Sequence, residues 1–303
     1  MVPGSRLLVV LRAGSGTPAR YSSIVFGAPA NTPRSQFFVV PTQILRTLDS
    51  VVSAQRFKDH FSQSSASYAA HRPTYPPELV TFLADVARTN DFAWDCGCGS
   101  GQLSILLAER FDRVYATDAS AKQIENALPH SGVQYACAPA EASGLDTATA
   151  DLIVAAQAAH WFDLPAFYRE VRRVGRLGSV IALVSYGMVK IDEQLDPLIE
   201  GFYRDVVGPY WPPEREHVEE GYRSLDFPFT EVQAPDLEMA VYWTLPDFIG
   251  YVDTWSAVVA MEKAIGREPH DRFNQELREA WTPGDQKRLV RWPLSLRVGL
   301  VEA

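Results

Sequence analysis

Asp95-Cys96-Gly97-Cys98-Gly99-Ser100-Gly101 follows the apolar stretch Phe92-Ala93-Trp94 and runs straight into Gln102-Leu103-Ser104-Ile105-Leu106-Leu107. The stretch before it reads as the end of a strand and the stretch after it as a helix. A turn that begins with an acid and carries glycine at alternate positions is a place for a ligand. Side chains at those positions would keep the backbone away from it.

Outward from this turn the pattern alternates. Val114-Tyr115-Ala116-Thr117 reads as a strand ending at Asp118, and Ser120 to Leu128 as a helix in which Ser120 and Gln123 fit a capping box. Val133 to Cys137 and Asp151 to Ala156 are strands, Asp163 to Val174 is a helix with Pro165 in its first turn, and Ser179 to Val184 is a fifth strand. Strands alternating with helices imply right-handed crossovers and a parallel sheet. Upstream, Glu78 to Arg88 is an amphipathic helix and Ala54 to Ala69 also reads as helical, with the stiff, Pro-rich Tyr68 to Pro77 between them. Past Tyr186 the alternation stops. Residues 187–285 read as helical, acidic and aromatic, with Leu245 to Lys263 as one long helix. Strands at Phe229 to Val232 and Leu289 to Val301 return the chain to the sheet. The expected fold is α/β: a Rossmann-like, doubly wound, mostly parallel seven-stranded sheet with a helical cap inserted after the fifth strand. Its expected parts are a tail (1–50), a cofactor-binding core (51–186), a cap with one core strand near 229–232 (187–285) and a C-terminal strand (286–303).

The chain has 303 residues, 47% of them hydrophobic, and a net charge of −9. No apolar run approaches the roughly 20 residues of a membrane span, and the acidity disfavours nucleic acid and anionic membranes as partners. The charge is uneven. Residues 1–50 hold five Arg and one acid, Asp49, a net of +4, which leaves −13 for the rest. An Arg- and Ser-rich, acid-poor start is the composition of a transit segment, and it is equally that of a dispensable tail. Cys96, Cys98 and Cys137 make no disulfide framework, and Cys-x-Cys with no nearby His is weak as a metal site. A reducing compartment follows, cytoplasmic unless the tail directs import.

In an open parallel sheet the ligand lies over the carboxyl ends of the strands, where strand order reverses. Gly97, Gly99 and Gly101 give G-x-G-x-G, whereas the dinucleotide fingerprint is G-x-G-x-x-G; its third glycine position is Gln102 here. Asp95 beside the turn repels phosphate and suits an ammonium group. Asp118, 17 residues after Gly101, suits the two hydroxyls of a ribose. A ligand with an amino group and a ribose but no phosphate is S-adenosylmethionine.

These motifs, with Ala138-Pro139-Ala140-Glu141 and Gln157-Ala158-Ala159-His160-Trp161-Phe162-Asp163, resemble the class I S-adenosylmethionine-dependent methyltransferases over roughly 55–185, and within them the branch containing trans-aconitate methyltransferase. The resemblance implies that Asp95 receives the methionyl ammonium, that Gly97, Gly99 and Gly101 admit the methionine, and that Asp118 binds the ribose. It also implies that Ala140 and Glu141 line the adenine, that Gln157 lies near the methionyl group, and that Tyr68 and Arg72 reach over its carboxylate. The expected activity is methyl transfer to a small-molecule acceptor, at an oxygen of a carboxylate or hydroxyl, by a monomer or homodimer. A hydroxyl needs a base, and His160 is the best placed. The acceptor pocket is expected among His160, Trp161, Tyr186, Trp211, Arg223 and Trp255, with Tyr210 and Trp243 nearby. Two other readings remain open at this point: a methyltransferase-like binding module without activity, and an NAD-dependent oxidoreductase.

Overall fold

The computed structural model describes residues 73–302. Tyr68, Arg72, the expected helix of 54–69 and the tail of 1–50 lie outside the described residues. Helix α1 (Pro77–Val86) starts with proline in its first turn and buries Leu79, Val80, Leu83 and Ala84.

Five strands pair in parallel: β1 (Phe92–Cys96), β2 (Arg113–Asp118), β3 (Val133–Cys137), β4 (Ala150–Ala156) and β5 (Gly175–Tyr186). Their spatial order is β3-β2-β1-β4-β5, so the direction of winding reverses between β1 and β4. Helices α2 (Gln102–Leu107), α3 (Ala121–Glu125) and α4 (Leu164–Val174) connect them. The sheet is covered on both faces, which is why its central strands are apolar throughout. Leu152 and Val154 pack with α1 and α2 in one core, and Ile153 and Ala155 pack with Phe167 and Val171 of α4 in the other. That division is the two-residue period of a strand.

The remaining sheet comes from the far end of the chain. β8 (Arg288–Leu300) runs antiparallel to β5, from Leu294 opposite Tyr186 to Leu300 opposite Val180, and β6 (Thr230–Val232) pairs on its other side. These seven strands match the expectation. An eighth, β7 (Glu238–Trp243), pairs with the first half of β8, so the segment 187–285 is not uniformly helical. Its alternation was readable: Met239 is buried between exposed Glu238 and Ala240.

The insert contains α5 (Asp196–Gly201), which passes into a π-helical turn at Phe202–Val206, and α6 (Arg215–Glu219), α7 (Leu245–Val252), α8 (Ser256–Ile265) and α9 (Glu268–Ala280). The single helix expected over 245–263 is two, α7 and α8. Trp255 is extended at the break (φ −69°, ψ 127°), and the Thr254 hydroxyl donates to the Tyr251 carbonyl. Among the described residues no helix is long and apolar enough to cross a membrane.

Candidate cofactor and acceptor site

The glycine turn leaves the end of β1 at the reversal point. It is tied to β2 by the N–H groups of Gly97 and Cys98, which both donate to the Thr117 carbonyl (2.8 and 2.9 Å), and closed by Gly101 N–H donating to the Cys98 carbonyl (2.9 Å). All three glycines have positive φ, +71°, +55° and +86°, a region that side chains resist. Their surroundings differ. A Cβ on Gly97 would collide with Ala158 and one on Gly101 with the Tyr135 ring, whereas one on Gly99 would meet no atom of the described residues within 4 Å. Gly97 and Gly101 therefore serve close packing inside the protein. Gly99 is where no described side chain covers the backbone.

Asp95 is the last but one residue of β1 and is 1% exposed. Its Oδ2 accepts from the Ser104 hydroxyl of α2 at 2.6 Å, and its Oδ1 has no hydrogen-bond partner. The other buried acids among the described residues are saturated. Asp151, at the opposite end of the sheet, accepts from the Thr89 hydroxyl, the N–H groups of Asp91 and Phe92, and Arg176. Glu170 accepts from Ser143 N–H, the Ser143 hydroxyl and Arg173. An ionised carboxylate has acceptor sites on both oxygens, and Asp95 uses one. Burial pushes its pKa up to about 7, with the Ser104 hydroxyl opposing and the charge of Asp118 adding to the rise.

Asp118 ends β2 and joins two segments. Its Oδ2 accepts from Gly99 N–H (2.9 Å) and its Oδ1 from Ser120 N–H (2.8 Å). The capping box expected from Ser120 does not form, since the Ser120 side chain makes no cap bond to α3. Ala140 is buried just beyond β3, and Glu141 Oε1 accepts from Asp163 N–H (2.9 Å) at the start of α4, whose cap is Asp163 itself. Gln157 follows β4 with φ +54°, rare for a residue with a side chain. Its backbone N–H bonds the Val184 carbonyl and its side-chain amide the Tyr186 carbonyl, both at 2.8 Å. The ends of β1, β2, β3 and β4 thus bring Asp95, the glycines, Asp118, Ala140, Glu141 and Gln157 to one rim. Tyr135 of β3, against Gly101, belongs to this rim too. No motif marks it, and only strand register places it there.

The expected acceptor residues separate. His160, in a 3-10 turn (Ala159–Trp161), lies 4.7 Å from the Trp161 ring, and its Nδ1 is 2.8 Å from the Tyr222 hydroxyl. Burial pulls the imidazole pKa down to about 3, helped by the charges of Arg215 and His217. Tyr186 is buried edge-on to Tyr75 at 6.4 Å. Trp255 is core, packed on Phe202, Tyr203, Trp211 and Tyr251. Arg223 is exposed. The cation beside the aromatic cluster is Arg215, whose Nε donates to the Tyr203 hydroxyl (2.7 Å) and whose guanidinium lies 4.9 Å over Trp211. Sequence reading missed Arg215 and Tyr222, since both come near His160 only through the packing of the insert.

A doubly wound sheet with a glycine turn at its reversal point, an unsaturated buried acid beside it and a second acid at the next strand end defines a nucleoside-cofactor enzyme. Residues 94–183 match the family model described as "Methyltransferase domain". The chain is 35% identical over 246 residues to a methyltransferase of Dictyostelium discoideum, covering 79% of this chain and 94% of that one. It is 30% identical over 220 residues to a methyltransferase of Mycobacterium tuberculosis, covering 72% and 85%. A solved structure from Anaeromyxobacter dehalogenans, described as a type II methyltransferase, is 46% identical with a TM-score of 0.73, covering 76% of this chain and 98% of that one. The chain belongs to the class I S-adenosylmethionine-dependent methyltransferases. It is an enzyme, and its cofactor is S-adenosylmethionine. The residues present fit that cofactor: the unpaired buried Oδ1 of Asp95 suits an ammonium, and the uncovered backbone of Gly99 leaves room for a ligand chain.

Proposed function

We propose that this enzyme methylates an oxygen, of a carboxylate or hydroxyl, on a small molecule held between the cofactor rim and the insert. Bound S-adenosylmethionine supplies a methyl group on a cationic sulfur. The protein's part is to align the acceptor with that methyl and to exclude water. Asp95 takes the ammonium, Gly99 lets the methionine approach the backbone, and Gly97 and Gly101 hold the turn's shape. Asp118 accepts from the ribose hydroxyls while Gly99 and Ser120 fix its orientation. Ala140 and Glu141 flank the adenine, and Gln157 stands at the methionyl end. Tyr68 and Arg72 are assigned to the methionine carboxylate on sequence alone. His160 is the acceptor-side residue. Working as a monomer or homodimer in the cytoplasm is part of this reading, as are tail, core, cap and closing strand as its units; the acidic body speaks against nucleic acid or membrane partners.

The observation that carries the proposal is Asp95, a buried acid with one oxygen unused where the other buried acids among the described residues, Asp151 and Glu170, are saturated. Calorimetric titration tests it. S-adenosylmethionine and S-adenosylhomocysteine are expected to bind near micromolar, about −8 kcal/mol, and NAD not at all. A failure of both sulfur ligands to bind would remove the assigned site.

A further inference from the structure

Helix α6 ends on an unusual pair. Gly221 N–H donates to the Val218 carbonyl (3.1 Å) and Tyr222 N–H to the His217 carbonyl (2.7 Å), the two bonds of a Schellman ending. Gly221 has the left-handed φ (+64°) which that ending requires, but Tyr222 is left-handed as well (+62°), an unfavourable state for a residue with a Cβ. Arg297 of β8 holds the turn, donating to the carbonyls of Tyr222 (3.0 Å) and Leu225 (2.7 Å). Strain that the surroundings maintain in this way points to a role for the side chain it aims.

That side chain is wholly buried and ends 2.8 Å from His160 Nδ1. Among the described residues, Nδ1 is the one group that hydrogen-bonds that hydroxyl. A phenol carries one proton and accepts on its lone pairs. A buried O–H with no acceptor is costly, so the phenol proton points to Nδ1, and the proton of a neutral imidazole must then sit on Nε2. The Arg215 guanidinium is nearby, anchored through Nε to Tyr203. The acid on that tyrosine, Glu219, ion-pairs with Arg204, and no carboxylate among the described residues pairs with Arg215.

We propose that Tyr222 is a positioning residue that fixes His160 as its Nε2–H tautomer, so that His160 donates a hydrogen bond instead of acting as a base, and that the acceptor is a carboxylate received by His160 Nε2–H and Arg215. This deepens the methyl-transfer reading above and rests on it. The step forms an O–CH3 bond from a carboxylate lone pair and breaks the S–CH3 bond, whose electron pair stays on sulfur. The products, a methyl ester and a thioether, are both uncharged at the reacting atoms, and no proton is released. A site without a working base is suited to that acceptor and poorly suited to a hydroxyl.

The test uses the full chain, labelled with 15N in histidine and saturated with S-adenosylhomocysteine. Two-bond 15N–1H correlations are expected to show His160 neutral and protonated on Nε2. Tyr222→Phe should lose that fixed tautomer while cofactor affinity changes by less than about twofold, which a merely structural role would not produce. Benzoate and octanoate should shift the His160 Nε2 resonance saturably; benzyl alcohol and octan-1-ol should not. His160→Gln, which keeps an amide donor near the Nε2 position, should hold benzoate within about tenfold, and His160→Ala should lose more. A proton on Nδ1, or alcohols that bind and accept methyl as well as the carboxylates do, would overturn the inference and leave methyl transfer standing. Loss of S-adenosylhomocysteine binding would remove both.

Discussion

Asp95 shows what burial costs a carboxylate whose acceptor sites are only partly used. Its pKa lies near 7 in the protein against about 3.8 when exposed. Between those values the folded state keeps a proton that the unfolded chain has lost, so stability falls as pH rises through the window from about 4 to 7. The full effect is on the order of 4 kcal/mol. Asp95→Asn should therefore flatten the decline: cofactor-free variant and parent melt most nearly alike below about pH 4, and the variant melts higher at pH 8 by several degrees, read by calorimetry. The same variant should bind S-adenosylmethionine about 100-fold more weakly, since an ammonium loses its anionic partner. In the parent, affinity should rise from pH 6 to pH 8 as the carboxylate ionises. Equal pH dependence of parent and variant would assign the effect to another group. At this scale the sequence was informative about chemistry and silent about saturation. Asp95 and Asp118 are both acids at strand ends, yet Asp118 spends hydrogen bonds on Gly99 and Ser120 while Asp95 keeps one oxygen in reserve.

Among the elements, the strand–turn–helix around residues 92–107 was readable because every signal in it is local: an apolar run, positive-φ glycines, a helical pattern. The three glycines look equivalent in the sequence, and their packing separates them. Gly99→Ala should cost about 1 kcal/mol of stability from its left-handed φ and at least about tenfold in cofactor affinity, the Cβ standing where the ligand would lie. Gly101→Ala must displace the Tyr135 ring and should cost more stability, about 2–3 kcal/mol. Urea titration and calorimetry compare the two, and equal stability losses would contradict the division of roles. Where signals were not local the reading failed. Helical periodicity runs unbroken through Leu245 to Lys263, but Trp255 leaves the helix to pack on Phe202 and Tyr203. β7 carries the local alternation of a strand; what no local signal gives is its partner, β8, some 50 residues away in the chain.

At the scale of the molecule, β8 couples the two halves of the described chain. Its Leu294–Leu300 half completes the sheet beside β5 and its Arg288–Pro293 half pairs with β7 of the insert. A strand shared in this way leaves neither half a complete edge of its own. Core and insert should therefore melt in one transition, with calorimetric and van't Hoff enthalpies equal, and a chain begun at Val51 should show the same transition. Two resolved transitions would mean that the insert folds separately. The relatives support testing the shorter chain: the Dictyostelium protein is matched over 94% of its own length but only 79% of this one.

The sequence by itself determined the parallel sheet, the class of cofactor and the presence of acids at two strand ends, because alternation, glycine spacing and strand-end acids are properties of short segments. Tertiary structure alone decided what surrounds His160. Tyr222 and Arg215 lie more than fifty residues beyond His160, and they reach it through the packing of α6 against β5 and the turn that follows β4, held by Arg297 from β8. Distances of that kind are set by how the core and insert bury their apolar faces together, and no local pattern encodes them.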